Sequence, residues 1–514
     1  MRYLYGLFLL VSVIFWSSCR KDFETVPSSG NLEFSKDTVY LDTIFTGISS
    51  STYNLTVHNT SDEDITIPNI RLQQGESSYY RLNVDGIPGK SFDNIDILAN
   101  DSIYIFVETT ASIEELTTGE TQFLYTDAIL FDAGTKQQNV ELVTLVQDAV
   151  FLYPERFPDG TTECLPFIIN EETGEEICIE GFYLDDTELH FTNEKPYVIY
   201  GYAAVPSGKT LTVDAGARVH FHAESGLLVA ENASLHVNGE LSSDPELLEN
   251  EVIFEGDRLE PQFSDVPGQW GAIWLTAGST DNHFNHATIK NATVGILMDS
   301  NDGGPTPTLT LKNTQIYNSA NVGLLAKTGH VYGENLVINN SGQASLNLSL
   351  GGKYNFVHCT FANYWNSGIR QFPAVLIENV LETPENIFVS DLVEANFTNC
   401  IIYGNENIEL LFNKSEEAAF NFKFKNCLIR FNDFNNNFSG IAEYDFENPA
   451  LYENSVLNED PVFLDPNKNQ LNIGEESAAN GIALPNLVPQ DILGTPRNAN
   501  PDAGAYESVV FPEE

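Results

Sequence analysis

Between Leu32 and Gln147, apolar and polar residues alternate in short stretches, as in Thr52-Tyr53-Asn54-Leu55-Thr56-Val57 and Ser102-Ile103-Tyr104-Ile105-Phe106-Val107. A period of two sends successive side chains to opposite faces, so each stretch predicts a strand with one buried and one wet face. Turn-rich segments such as His58 to Asp64 and Val84 to Lys90 separate the stretches. Strands at that spacing predict an antiparallel β-sandwich over residues 32–147.

Beyond about residue 190 the pattern changes from alternation to self-similarity. Six windows superimpose, starting at Phe284, Leu311, Gly333, Phe356, Phe397 and Phe424. Their third column holds His286, Asn313, Asn335, His358, Asn399 and Asn426, spaced by 27, 22, 23, 41 and 27 residues. The next column holds Ala287, Thr314, Leu336, Cys359, Cys400 and Cys427. Two further on stand Ile289, Ile316, Ile338, Phe361, Ile402 and Ile429. A second apolar column is read at Ile296, Leu324, Leu346, Ile369 and Leu410. A repeat of this length cannot bury its apolar face alone and must stack on its neighbours. In stacked parallel strands, equivalent side chains lie above one another about 4.8 Å apart, so Asn amides can form ladders and Ile or Cys apolar columns. The three column cysteines then read as buried fillers rather than disulfide partners. Asparagine use follows the same division, with 10 in residues 1–200 and 40 in residues 201–514.

These windows resemble the right-handed parallel β-helix, the pectate-lyase-like fold. The run from Pro196 to Leu241 and the segment Gly268 to Leu275 resemble the first coils of secreted β-helix proteins. The end, with Asp460-Pro461-Val462-Phe463, Asp491-Ile492-Leu493-Gly494-Thr495-Pro496-Arg497 and Pro501-Asp502-Ala503-Gly504-Ala505-Tyr506-Glu507, resembles the closing segment of bacterial surface β-helix proteins of the choice-of-anchor Q type. The alternating N-terminal region resembles the Ig-like modules of bacterial surface proteins. The first residues, one cation at Arg2, a largely apolar run of 13 residues from Leu4 to Trp16 and then Ser17-Ser18-Cys19, resemble a bacterial lipoprotein signal peptide. That run is too short to span a bilayer as a helix. The resemblance implies a lipid on Cys19 and an outer-membrane lipid as partner. Arg20, Lys21, Asp22 and Glu24 resemble the cluster that directs Bacteroidetes lipoproteins to the cell surface.

The expected class is therefore all-β: an N-terminal Ig-like β-sandwich followed by a right-handed parallel β-helix. The expected boundaries are a signal peptide at 1–18, a tether at 19–31, the sandwich at 32–147 and a connector at 148–187. The helix proper follows at 188–440 and its closing segment at 441–514. Cys164 and Cys178 flank the turn at Glu172-Thr173-Gly174 in the connector, and in an exported protein such a pair is expected to form a disulfide.

Charge narrows the partners. The chain carries 73 acidic and 24 basic residues, a formal net charge of −49. Such a surface repels nucleic acid, anionic lipid and polyuronate, which excludes nucleic-acid binding.

The sequence offers only scattered chemistry. A polygalacturonase of this fold is expected to show paired carboxylates and a cationic subsite. Thr328-Gly329-His330-Val331 reaches half of one of its motifs, and Asp185-Asp186 precedes the coils. A pectate-type lyase needs an Arg or Lys base, for which Arg370 and Lys353 are the available residues. Asp299-Ser300-Asn301-Asp302-Gly303 begins like a calcium loop but puts Gly303 where an oxygen ligand belongs, so calcium lacks a clear motif and no other cofactor is evident. His220 and His222 flank Phe221 on a strand and are expected on one outward face with His236 nearby. Such a set could ligate zinc or copper, although solvated surface histidines are the plainer reading and no metal site is assigned. Trp365 and Arg370 could stack on and hydrogen-bond a sugar. The expectation is a cell-envelope lipoprotein whose coils form a binding or scaffolding surface for glycans. The alternative is a polysaccharide-acting lyase or glycoside hydrolase.

Overall fold

The computed structural model describes residues 25–511, apart from 133, 170–175, 246 and 385. Cys19 and the turn Glu172-Thr173-Gly174 therefore lie outside the described residues. The chain is all-β and divides between Asp148 and Ala149 into two compact units.

In the first unit the alternating stretches become strands of two sheets. One contains Glu33–Phe34, Tyr53–His58, Ser102–Thr109, Tyr80–Val84 and Ile87–Gly89. The other is built on Ile65–Leu72, Gln122–Phe131, Gln138–Gln147 and Thr38–Phe45, the last two running parallel. Alternation sorts the faces: Ile103, Ile105 and Val107 are buried while Tyr104 and Phe106 stay wet. Residues from both sheets share one apolar core that includes Leu55, Val57, Ile67, Ile129 and Leu142.

The second unit is organised by three parallel ladders. In the first, Arg218–Phe221, Val252–Gly256, Asn282–Lys290, Leu309–Ser319, Val337–Ser341, Thr360–Asn363, Ile401–Gly404 and Leu428–Ile429 pair in succession. In the second, Tyr202–Val205, Gly226–Val229, Trp270–Leu275, Ala292–Met298, Val322–Glu334, Leu346–Val357, Val375–Glu378 and Leu410–Asn413 do the same. The third runs from His190–Phe191 through Thr210–Asp214 and Ser234–Asn238 to Phe420–Lys425, sharing the long strands with the other two.

Inward side chains fall into register columns, and Ile289, Ile316, Ile338, Phe361, Ile402 and Ile429 are direct ladder partners, all fully buried. Phe356, Phe397 and Phe424 form another column, with rings 5.1 and 4.7 Å apart. Gly333 precedes them because a Cβ there would stand 2.5 Å from the Phe356 ring. Cys359, Cys400 and Cys427 are buried thiols.

Two expectations need correction. The second apolar column passes from Leu346 to Val375 and then Leu410, not through Ile369. Ile369 is 91% exposed, because the residues after Asn363 leave the first ladder before the chain joins the second at Val375. The segment read as a connector also belongs to the stack, since Val150–Leu152 pairs with Tyr197–Ile199 and Glu176–Tyr183 with Tyr202–Val205, both in parallel. Within it, Cys164 and Cys178 form a disulfide across an antiparallel hairpin.

The polar column has a backbone cause. His286, Asn313, Asn335, His358, Asn399 and Asn426 all take left-handed backbone, with φ between 42° and 59°. Asn and His adopt this conformation more readily than branched residues, so one such residue turns the chain between ladders. A second corner repeats the device with Asn291, Asn318 and Asn340, whose amides bond in sequence at 3.2 and 2.7 Å. The first corner also holds the closing segment: Asn335, Asn399 and Asn426 donate to the carbonyls of Gln490, Leu484 and Ile482. The segment thereby covers the outward side of the first ladder, where Val337, Ile401 and Leu428 pack against Leu471, Ile473, Ile492, Ala503 and Ala505. The terminal signature is structural: Arg497 pairs with Glu507 at 2.6 Å, and the Ala505 N–H donates to Thr360 Oγ1.

Candidate functional site

The second ladder has an outward row that is largely apolar. Ala204, Leu228, Trp274, Leu297, Leu325, Asn347, Leu376 and Leu411 are successive ladder partners. All but Ala204 and Leu376 keep some exposure. Two residues further along the same strands, on the same side, stand Lys327, Ser349, Glu378 and Asn413. Burial raises the Glu378 carboxyl, which accepts from Asn413 Nδ2 at 3.0 Å.

At one end of this row lies a depression of about 680 Å³ lined by Tyr202, Glu224, Gln269, Trp274, Thr293 and Leu297 among others. Its floor exists because two strand positions lack a side chain. A Cβ at Gly271 would sit 2.1 Å from Tyr202 Oη, and one at Gly226 2.6 Å from the same ring. Tyr202 and Trp274 meet edge to face with centroids 6.4 Å apart, and burial raises the Tyr202 phenol. Trp274 Nε1 donates to Asp299 Oδ2 at 2.7 Å, which fixes the indole. The site therefore offers a fixed aromatic wall with polar groups at its rim. The sequence reading missed Trp274 and Tyr202. The spaced glycines Gly226 and Gly271, one and two turns from Tyr202, were the available signal.

The residues singled out from sequence lie elsewhere. Arg370 is buried, with its guanidinium directed at protein acceptors. Its guanidinium grips both oxygens of Glu409 at 2.6 and 2.8 Å and donates to the carbonyls of Phe372 and Asn363 and to Asn405 Oδ1. Five acceptors account for a cation that sequence alone left unpaired. Trp365 is half-buried, with its ring edge against Gly342, where a Cβ would lie 3.3 Å away. The three histidines do not form one set. His220 is buried beside Glu255 at 3.7 Å, and desolvation lowers its pKa. His222 is exposed, bonding Asp257 at 2.7 Å and lying against Tyr200. His236 instead stacks on His283, its ladder partner, with centroids 4.0 Å apart. The calcium-like loop spends its carboxylates internally: Asp302 accepts from Thr280, Thr308 and the Gly304 N–H, and Asp299 from Trp274. His330, Lys353 and Glu394 are successive ladder partners beside a smaller hollow of about 210 Å³, with Lys353 and Glu394 paired at 3.3 Å.

No family model matches the chain, and no curated protein does. Among solved structures, a family 123 glycoside hydrolase from Clostridium perfringens aligns at 9% identity with a TM-score of 0.16, covering 24% of this chain and 30% of the hydrolase. The ASH/PapD-like domain 7 of human CEP192 aligns at 14% identity with a TM-score of 0.15, covering 26% of this chain and 94% of that domain. This chain thus spans less than a third of the hydrolase's length, and similarities this low carry no weight for fold or activity.

Proposed function

We propose that the protein is a lipid-anchored cell-surface protein whose second unit, a right-handed parallel β-helix that follows an Ig-like sandwich in the chain, binds neutral glycans. Three parallel ladders closed by left-handed corner residues support the β-helix reading, and the strong preference of parallel crossovers for one hand supports its handedness. The observation that carries the binding role is the aromatic-walled depression at Tyr202 and Trp274, continued by an apolar row beside polar side chains. A sugar ring has one apolar C–H face and a rim of hydroxyls, which an indole face and flanking amide and carboxyl groups match. Glu224, Asp299 and Glu378 stand at or beside the row with Lys327, an acidic balance that disfavours a polyuronate.

Two measurements test this reading. On a glycan array combined with reducing-end and unsaturated-product assays, the full chain is expected to bind neutral polysaccharide without turnover. Trp274→Ala should weaken binding at least about tenfold, or ~1.4 kcal/mol, while Trp365→Ala leaves it unchanged. Binding insensitive to Trp274, or product formation, would overturn it. For the anchor, detergent phase partitioning should send wild type to the detergent phase and Cys19→Ala to the aqueous phase. Equal partitioning would remove the lipid from the account.

A further inference from the structure

Away from the depression at Tyr202 and Trp274, on the outward side of the third ladder, His236, Asp281 and His283 converge. His236 and His283 are register partners on adjacent parallel strands, Ser234–Asn238 and Asn282–Lys290, so their rings stack at 4.0 Å and 28°. Asp281 enters from the residue before the second strand, in left-handed backbone with φ 49°. One ligating atom from each of the three lies within 4.8 Å of the other two. His236 Nε2, screened from solvent, is 3.3 Å from Asp281 Oδ2 but lacks the alignment of a hydrogen bond and has no other polar partner. Asn238 Oδ1 takes one nitrogen of His283 at 3.2 Å, which leaves the other ring nitrogen with its lone pair.

We propose that His236, His283 and Asp281 form a mononuclear site for a divalent first-row transition metal of the zinc and copper class. Two imidazoles and one carboxylate are the donor set such ions prefer, whereas calcium and magnesium favour oxygen alone. Bonds of about 2.0–2.2 Å require ligand atoms about 3.3 Å apart. The His236–Asp281 pair already has that spacing, and the exposed Asp281 side chain is free to close the remainder. Three protein donors leave a coordination position open to water or to an incoming ligand. A metal there would tie one turn of the stack to the next.

Two other His–Asp pairs provide the control. Among the described residues, His222 with Asp257 and His190 with Asp214, each at 2.7 Å, belong to no group of three potential ligands. Co2+ absorption and calorimetric Zn2+ titration of the full chain in detergent should give one tight site per chain with four- or five-coordinate cobalt bands. His283→Ala and Asp281→Asn should each weaken binding at least tenfold, whereas His222→Ala leaves it unchanged. Thermal melting of the metal-free variants is expected to match wild type, which separates loss of the site from loss of the fold. If wild type gives no cobalt spectrum, or if His222→Ala weakens binding as much as His283→Ala, the site is not the one described.

Discussion

Replacing Arg370 by alanine is expected to destabilise the second unit by about 3–5 kcal/mol, because it strands a fully buried carboxylate. Glu409 accepts from Arg370 through both oxygens and also takes the Ala374 and Glu406 N–H groups at 2.7 and 2.8 Å. Burial raises its carboxyl, and the guanidinium works against that rise. Arg370→Lys keeps the charge without the fork, so its loss should be intermediate. Urea unfolding of the three proteins checks the order, and glycan affinity of the still-folded variants should stay at the wild-type value. A variant that melts normally but loses glycan would return Arg370 to the ligand.

Ile338→Asp is expected to cost more, upward of about 4 kcal/mol, and to abolish a cooperative melt of the second unit. Ile338 stands between Ile316 and Phe361 in the column and is fully buried, so an aspartate there has no polar partner within the stack. Val393→Asp, on the exposed side of strand Leu392–Thr398, supplies the comparison and should cost far less. Equal melting of the two would mean the column is misassigned.

How far the chain could be read from its sequence differs by level. The Ile and Cys columns were legible because parallel register places like above like, and a repeat repeats its burial. Ile369 was misread because spacing from the repeat cannot tell a ladder position from an excursion when both are apolar. The Asn column was visible, but its cause was not: the left-handed corner and the clasp on residues about 480–490 appear only when backbone angles and distant segments are known. Site residues were the least legible. Arg370 looked available since Glu409 lies 39 residues on, and His236 was grouped with His220 and His222 because His283 is 47 residues away. Ladders make neighbours of residues one turn apart, so chemistry on such a surface is written at the repeat length rather than locally.

The closing segment also bears on when folding can finish. Turns of the stack can add one upon another as the chain emerges from its N-terminal end. The outward row Val337, Ile401 and Leu428, however, stays wet until residues about 470–506 are available to lie on it. A chain still being synthesised therefore carries an adhesive stripe along this ladder, and the segment at about residues 470–506 acts as its built-in cover. Loss of that end would leave a stack with satisfied ladders and a bare side, prone to self-association rather than to unravelling.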